Sequence, residues 1–255
     1  MIYGLYLSAT GVLTNSYRQD VIANNLANAE TVGFKRDLAL FRERLTRAQT
    51  DPTSADWSND QLEALGGGLF ASPTAVDTRQ GDLEQSGGNL DVGIEGSGFF
   101  MVDDAGKQLL TRNGQFMIDR EGYLILANGS GEKVLDANRQ PIRLDGSLAG
   151  LTHVAKDGQI TQDRVPAGRI GLFHVADESR LTKQGGMLLN HPEAATLPAS
   201  TTALRSGFIE RANVDPTTEL AALMDAQRQL EANANMIRYQ DATLGKLVNE
   251  VGKIS

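Results

Sequence analysis

The sequence predicts an α+β fold: a discontinuous helical coiled-coil domain built from the N- and C-terminal helices, with an all-β domain in the middle. Three observations predict it. Apolar residues step by three and four at both chain ends. Between about residues 82 and 212 the period changes to two. Glycine is abundant at 27 residues while aromatics make up 5%, which favours short strands and tight turns over a helical globule.

Residues 1–36 read as the N-terminal helix of the helical domain. Leu5, Ala9, Val12, Ser16, Gln19, Ala23 and Leu26 follow the a/d spacing of a coiled-coil seam. The seam is weakest at Ser16 and Gln19, which need partners if buried. The helix ends in "VIANNLANAETVGFKRD", with Asn24, Asn25 and Asn28 close together. Asparagine is a poor helix former, because its amide competes for backbone hydrogen bonds. Such amides can instead donate and accept across packed helices.

Residues 37–81 read as a short helix followed by a linker. Leu38, Phe41, Leu45 and Ala48 carry helical spacing, and 46–80 is rich in Gly, Ser, Asp, Thr and Pro. Trp57, the only tryptophan, reads as local packing. Residues 82–212 form the β-rich domain. "LDVGIEGSGFFMVDD" predicts strand, glycine turn, strand; "GRIGLFHVAD" predicts another strand. Asn113-Gly114, Glu121-Gly122 and Asp157-Gly158 are turn-type dipeptides between β-prone runs.

Residues 213–255 carry the C-terminal helix. Asp215 and Pro216 supply an N-cap and a first-turn proline. The seam runs Leu220, Leu223, Gln227, Leu230, Ala234, Ile237, Asp241, Leu244, Val248, Val251 without a slip. At about 1.5 Å per residue this rod is roughly 54 Å long. A compact core has no use for such a rod, whereas a bundle or a polymer does. Gln227 and Asp241 within the seam suit a register-fixing role.

The same residues narrow the chemistry. A net charge of −8 argues against a nucleic-acid partner. There is no cysteine, hence no disulfide and no thiol chemistry. The opening "MIYGLYLSATGVL" lacks a basic leader, so no cleaved signal peptide is expected, and no apolar run is long enough to insert in a membrane. His153, His174 and His191 lack the spacing of a metal pair. "GIEGSGFF" lacks a phosphate-loop lysine, and Asp103-Asp104, Asp119 and Glu121 are explained by turns. Asn128-Gly129-Ser130 matches a glycosylation triplet, and Lys35-Arg36 is too short for a nucleic-acid patch. No catalytic, cofactor-binding or metal residue is therefore assigned. Neither a cofactor nor a small-molecule substrate is expected, and the chain is read as no enzyme.

Three segments, in order, carry a resemblance. "ANNLANAETVGFKR" (23–36) resembles the N-terminal motif of bacterial flagellar rod and hook proteins. "LDVGIEGSGFFMV" (90–102) resembles the entry to their middle domain, and "SGFIERANVDPTTELAALMDAQRQLEANANMI" (206–237) their C-terminal helix. The length, with one β domain, resembles a proximal or distal rod subunit, and "VPAGRIGLFHV" (165–175) the former. Many relatives carry an aromatic where Leu230 stands. The resemblance implies a structural subunit that polymerises into the rod, the drive shaft of the flagellar basal body. It would span the periplasm, be exported by the type III route, and pack against copies of itself and other axial rod and hook proteins. The assembly interface is expected at Leu5, Val12, Asn24, Asn25, Leu26, Asn28, Gly33 and Phe34, and at Leu220, Leu223, Gln227, Leu230, Ile237, Asp241, Leu244 and Val248. Gly33 is implied to adopt a backbone angle that β-carbons disfavour, and Phe34 to bury its ring beside it. The alternatives are a periplasmic wall hydrolase or a secreted β-domain binding module.

Overall fold

The computed structural model describes residues 2–45, 68–191, 195–196 and 202–251. They divide into two units: residues 1–26, 37–74 and 216–255 in the first, and 27–36 with 75–215 in the second. The segment 27–36, expected to close the helical domain, thus belongs with the strands.

The first unit contains α1 (Ile2–Ala27), β1 (Asp37–Glu43), most of β2 (Leu69–Val76) and α2 (Pro216–Val251). Helix α2 begins at Pro216, where the ring's fixed φ suits a first helical residue and its missing N–H costs nothing. Strands β1 and β2 pair as a two-stranded ribbon. This corrects two expectations. The short helix expected over Leu38, Phe41 and Leu45 is a strand from 37 to 43, and the expected linker contains a strand from 69 to 76. Over so few residues the 3-4 spacing does not separate helix from strand, and the pairing partner lies too far along the chain to be read locally. Ala48 and Trp57 lie outside the described residues. The ribbon rests on α1: the Tyr17 hydroxyl donates to the Ser72 carbonyl at 3.0 Å, and the Tyr17 and Phe41 rings meet edge to face at 6.1 Å.

Helices α1 and α2 run antiparallel. A β-carbon placed on Gly4 would lie 2.9 Å from Gln240 Nε2, and one on Gly11 2.7 Å from Asn233 Nδ2. As the chain advances seven residues in α1, its partner retreats seven in α2.

The second unit is β-rich. Its strands are β3 (Leu83–Gln85), β4 (Val92–Glu95), β5 (Phe99–Asp104), β6 (Lys107–Thr111), β7 (Phe116–Ile118), β8 (Leu124–Leu126), β9 (Lys133–Val134), β10 (Thr152–Val154), β11 (Gln159–Gln162), β12 (Val165–Arg169), β13 (Leu172–His174), β14 (Thr182–Lys183), β15 (Leu188–Asn190), β16 (Ala195–Thr196), β17 (Ala203–Ser206) and β18 (Phe208–Glu210). The main sheet runs β14-β15-β6-β5-β9-β8-β7, with β13 joining β5 to β16. Strands β10, β11 and β12 form a three-stranded sheet, and β4 with β17 and β3 with β18 form two ribbons.

Strand β5 explains the core. Phe100 and Val102 point into one apolar cluster with Leu109, Phe116 and Leu126; Phe99 and Met101 point into another with Leu110, Leu135 and Phe173. All four β5 residues are buried. A sheet covered on both faces needs a continuous apolar strand, which is what "FFMV" supplies. Two of the expected turns carry the anticipated positive φ, at Gly122 (+82°) and Gly158 (+84°). Asn113-Gly114 differs: it links β6 to β7, which are not neighbours in the sheet. Gly114 is there for close approach, since a β-carbon on it would fall 1.8 Å from the Val92 carbonyl oxygen.

Candidate assembly site

Two regions gather the residues that the sequence singles out. The first is a knot in the second unit. Gly33 has φ +70°, and a β-carbon on it would sit 2.2 Å from the Asn113 backbone nitrogen. That turn lets Phe34 become fully buried with Ala29, Ala212 and Val214, with the Lys183 ammonium 3.7 Å from its ring centroid. Next in sequence, Lys35 meets Glu210 at 2.5 Å, and Glu210 also takes Arg112 at 3.0 Å. The three are 2%, 0% and 4% exposed, so each charge depends on the others and on backbone partners.

Those partners are present. Lys35 Nζ donates to the Arg79 carbonyl at 2.7 Å, and Arg112 Nη2 to that of Gly96 at 2.9 Å. Glu210 Oε1 accepts from the Gly81 N–H at 3.0 Å, and the Glu210 carbonyl from the Gly33 N–H at 2.8 Å. Burial holds the Lys35 ammonium below the usual lysine range, with Glu210 pulling the other way and Arg112 adding to the depression. Asn213 ties the neighbouring loop segments by its side chain. It accepts from Arg36 N–H at 2.7 Å and donates to the carbonyls of Asp77 and Arg79 at 2.8 and 3.0 Å. None of Lys35, Arg112, Glu210 or Asn213 was singled out as a site residue from sequence; "GFK" and "ERANVD" were the available signal.

The second region is the first unit's helix pair. Asn25, expected to bond across helices, instead clamps the start of β1. Its Nδ2 donates to the Asp37 carbonyl and its Oδ1 accepts from the Asp37 N–H, both at 2.9 Å. In the second unit, Asn28 accepts from Thr31 through both its carbonyl and its side chain. Asn24 is exposed. On α1, Leu5, Val12 and Leu26 are half-buried, while Ser8, Ile22 and Asn25 are buried. The inward stripe, which also holds Gly4 and Gly11, lies one residue upstream of the expected seam.

Helix α2 shows the same offset on half of its seam. Leu223, Leu230, Ile237 and Leu244 are half-buried, but the alternate positions turned inward are Glu219, Ala226, Asn233 and Gln240. Of the expected alternates, Gln227 and Asp241 are exposed, Leu220 is 50% and Val248 67% exposed. Met224, Met236, Tyr239 and Leu247 are exposed as well. Fourteen of the seventeen exposed large apolar side chains among the described residues belong to the first unit. This concentration makes the first unit the candidate surface for contact with another molecule.

The chain aligns along nearly its full length with known proteins. It is 34% identical over 253 residues to the flagellar basal-body rod protein FlgF of Caulobacter vibrioides, with 98% of each chain covered. The chain belongs to the flagellar basal-body rod protein family. It is 31% identical to the rod protein FlgG of Bacillus subtilis, covering 98% of this chain and 99% of the relative, and 28% identical to FlgF of Rhizobium meliloti, covering 98% of each. Residues 5–35 match the family described as flagella basal body rod protein. Residues 93–162 match the flagellar hook protein FlgE/F/G D1 domain, and 205–250 the flagellar basal body rod FlgEFG protein C-terminal segment. The terminal rod-family segments therefore contribute Lys35 and Glu210, one each, to the same buried ion pair. The family is a structural component of the flagellar rod. Among the described residues no group of His, Asp and Glu could hold a metal ion, and no helix is long and apolar enough to cross a membrane.

Proposed function

We propose that this chain is a subunit that polymerises into the rod of the flagellar basal body through its terminal helices, packing against copies of itself and against other axial proteins. The observation that carries the proposal is the exposed apolar surface of α2, where Leu220, Met224, Met236, Tyr239, Leu247 and Val248 stand exposed along one long helix. Full burial of such a Leu or Val is worth roughly 1.5–3 kcal/mol, of which these part-covered side chains gain a share against a neighbour. The contact is heterologous, one face of a copy meeting a different face of the next, so the array stays open. Coiled-coil packing then forms between subunits through these exposed side chains, while the glycine and amide contacts serve within the chain. The rod spans the periplasm.

The test is assembly of the full chain carrying Leu220→Asp with Val248→Asp. Both side chains are exposed in the single chain, so the variant keeps its far- and near-ultraviolet circular dichroism. Burying the new carboxylates between subunits is strongly unfavourable, so filaments are lost in sedimentation and electron microscopy. Incorporation at the wild-type level would sink the proposal.

A further inference from the structure

We propose that Asn128 is a site of spontaneous modification in the folded chain, converting through a cyclic imide to aspartate and isoaspartate, and that the fold protects Asn113 in the same dipeptide. The sequence contains two Asn-Gly pairs, 113–114 and 128–129. In this reaction the backbone nitrogen of the glycine bonds to Cγ of the asparagine. The Cγ–Nδ2 bond breaks, and the amide nitrogen leaves as ammonia with the proton that the glycine nitrogen gives up. Solvent water then opens the ring at either carbonyl, giving the normal or the β-linked aspartyl residue. The sum exchanges water for ammonia and needs no oxidant or reductant. Glycine is the favourable successor because it has no side chain to obstruct the attack.

The two sites differ in exposure, in the freedom of the glycine and in the partner of the leaving amide. Asn128 lies between β8 and β9, in an exposed loop closed by the Leu126 N–H to Glu132 carbonyl bond at 3.0 Å. Gly129 has φ +85°, and no atom lies within 4 Å of where its β-carbon would stand. Asn128 Oδ1 accepts from the Ser130 N–H at 3.0 Å, which polarises the carbonyl under attack. Its Nδ2, the leaving group, has no hydrogen bond among the described residues. Asn113, by contrast, is 3% exposed. Its Oδ1 accepts from Gln115 N–H at 2.9 Å, as that of Asn128 does from Ser130, but its Nδ2 is held 3.0 Å from Met187 Sδ. Gly114 is wedged against the Val92 backbone and cannot swing toward the side chain.

The experiment ages the full native chain in mildly alkaline buffer. Conversion at each site is read by peptide mass spectrometry and by isoaspartate-specific methylation with a carboxyl methyltransferase and S-adenosylmethionine. Asn128 converts at least about tenfold faster than Asn113, a barrier difference of about 1.4 kcal/mol. In concentrated urea the two rates converge, and Asn128→Gln removes the methylation that maps to the peptide containing residue 128. Equal rates in the native chain overturn the proposal. So does an unmodified native Asn128 beside one that converts in urea, or a glycan found on its Nδ2.

Discussion

At the scale of single residues, two glycines that look alike in sequence answer to different forces. Gly33→Ala drives a β-carbon into backbone at 2.2 Å and must hold a φ of +70°. It lowers the second unit's stability by more than about 1 kcal/mol, read from urea melts. Gly11→Ala meets only the tip of the flexible Asn233 side chain. The gain in helix propensity, roughly 0.5–1 kcal/mol, offsets that contact, so the melt is unchanged or improved. Glu210→Gln strands two buried cations and costs about 3–5 kcal/mol in the same assay. Asp77 gives a pH signature. Its hydrogen bonds from Arg79 hold its carboxyl below the ordinary value of 3.8. The unfolded chain therefore binds more protons than the folded one in that window. Asp77's contribution is fully present above pH 3.8 and is lost as pH falls through the lower, folded value. Asp77→Asn flattens that part of the acid-stability profile. Sequence hinted at Gly33 and Phe34 but not at Glu210 or Asp77. Pairing of charges far apart along the chain is a tertiary fact, and an acidic residue beside a strand reads as solvated until its partners are seen.

At the scale of elements, the apolar period placed both long helices and marked half of α2's seam. Within the chain, the stripe against α1 takes the other half one residue upstream. The pattern ranks positions by apolarity, so it chose Leu220 and Val248. Close helix approach ranks them by fit, and glycine under an amide fits better. The strands of the β unit were legible from "FFMV" and its neighbours because a doubly covered strand is apolar throughout. The β1–β2 ribbon was not legible, since a strand of seven residues looks like two helical turns until its partner is known. Leu230→Asp probes helix packing and assembly together, because Leu230 is half-buried on the inward stripe and also belongs to the seam expected from sequence. It blocks incorporation into filaments and also weakens α1–α2 packing, whereas Leu220→Asp affects filaments alone.

At the scale of the whole molecule, the two units differ in how they are held. The β unit has two apolar clusters and a buried ionic knot. The helix pair sets glycine, serine, asparagine and glutamine among half-buried leucines, and leaves other large apolar groups exposed. Native-state amide exchange on the free chain shows it: strong protection over 92–175 and weak protection over 2–26 and 218–250, with the weak segments gaining protection on assembly. Protection of the helices at the level of the sheet in the free chain would count against an assembly-dependent helix pair. The seven-residue repeat of Gly4 and Gly11 against Gln240 and Asn233 also makes sliding a matter of whole steps. Any displacement of one helix along the other that still seats an amide over a glycine must advance by a full heptad, about 10 Å at 1.5 Å per residue. Under load the pair would therefore hold at one notch or jump to the next, with no stable stop in between.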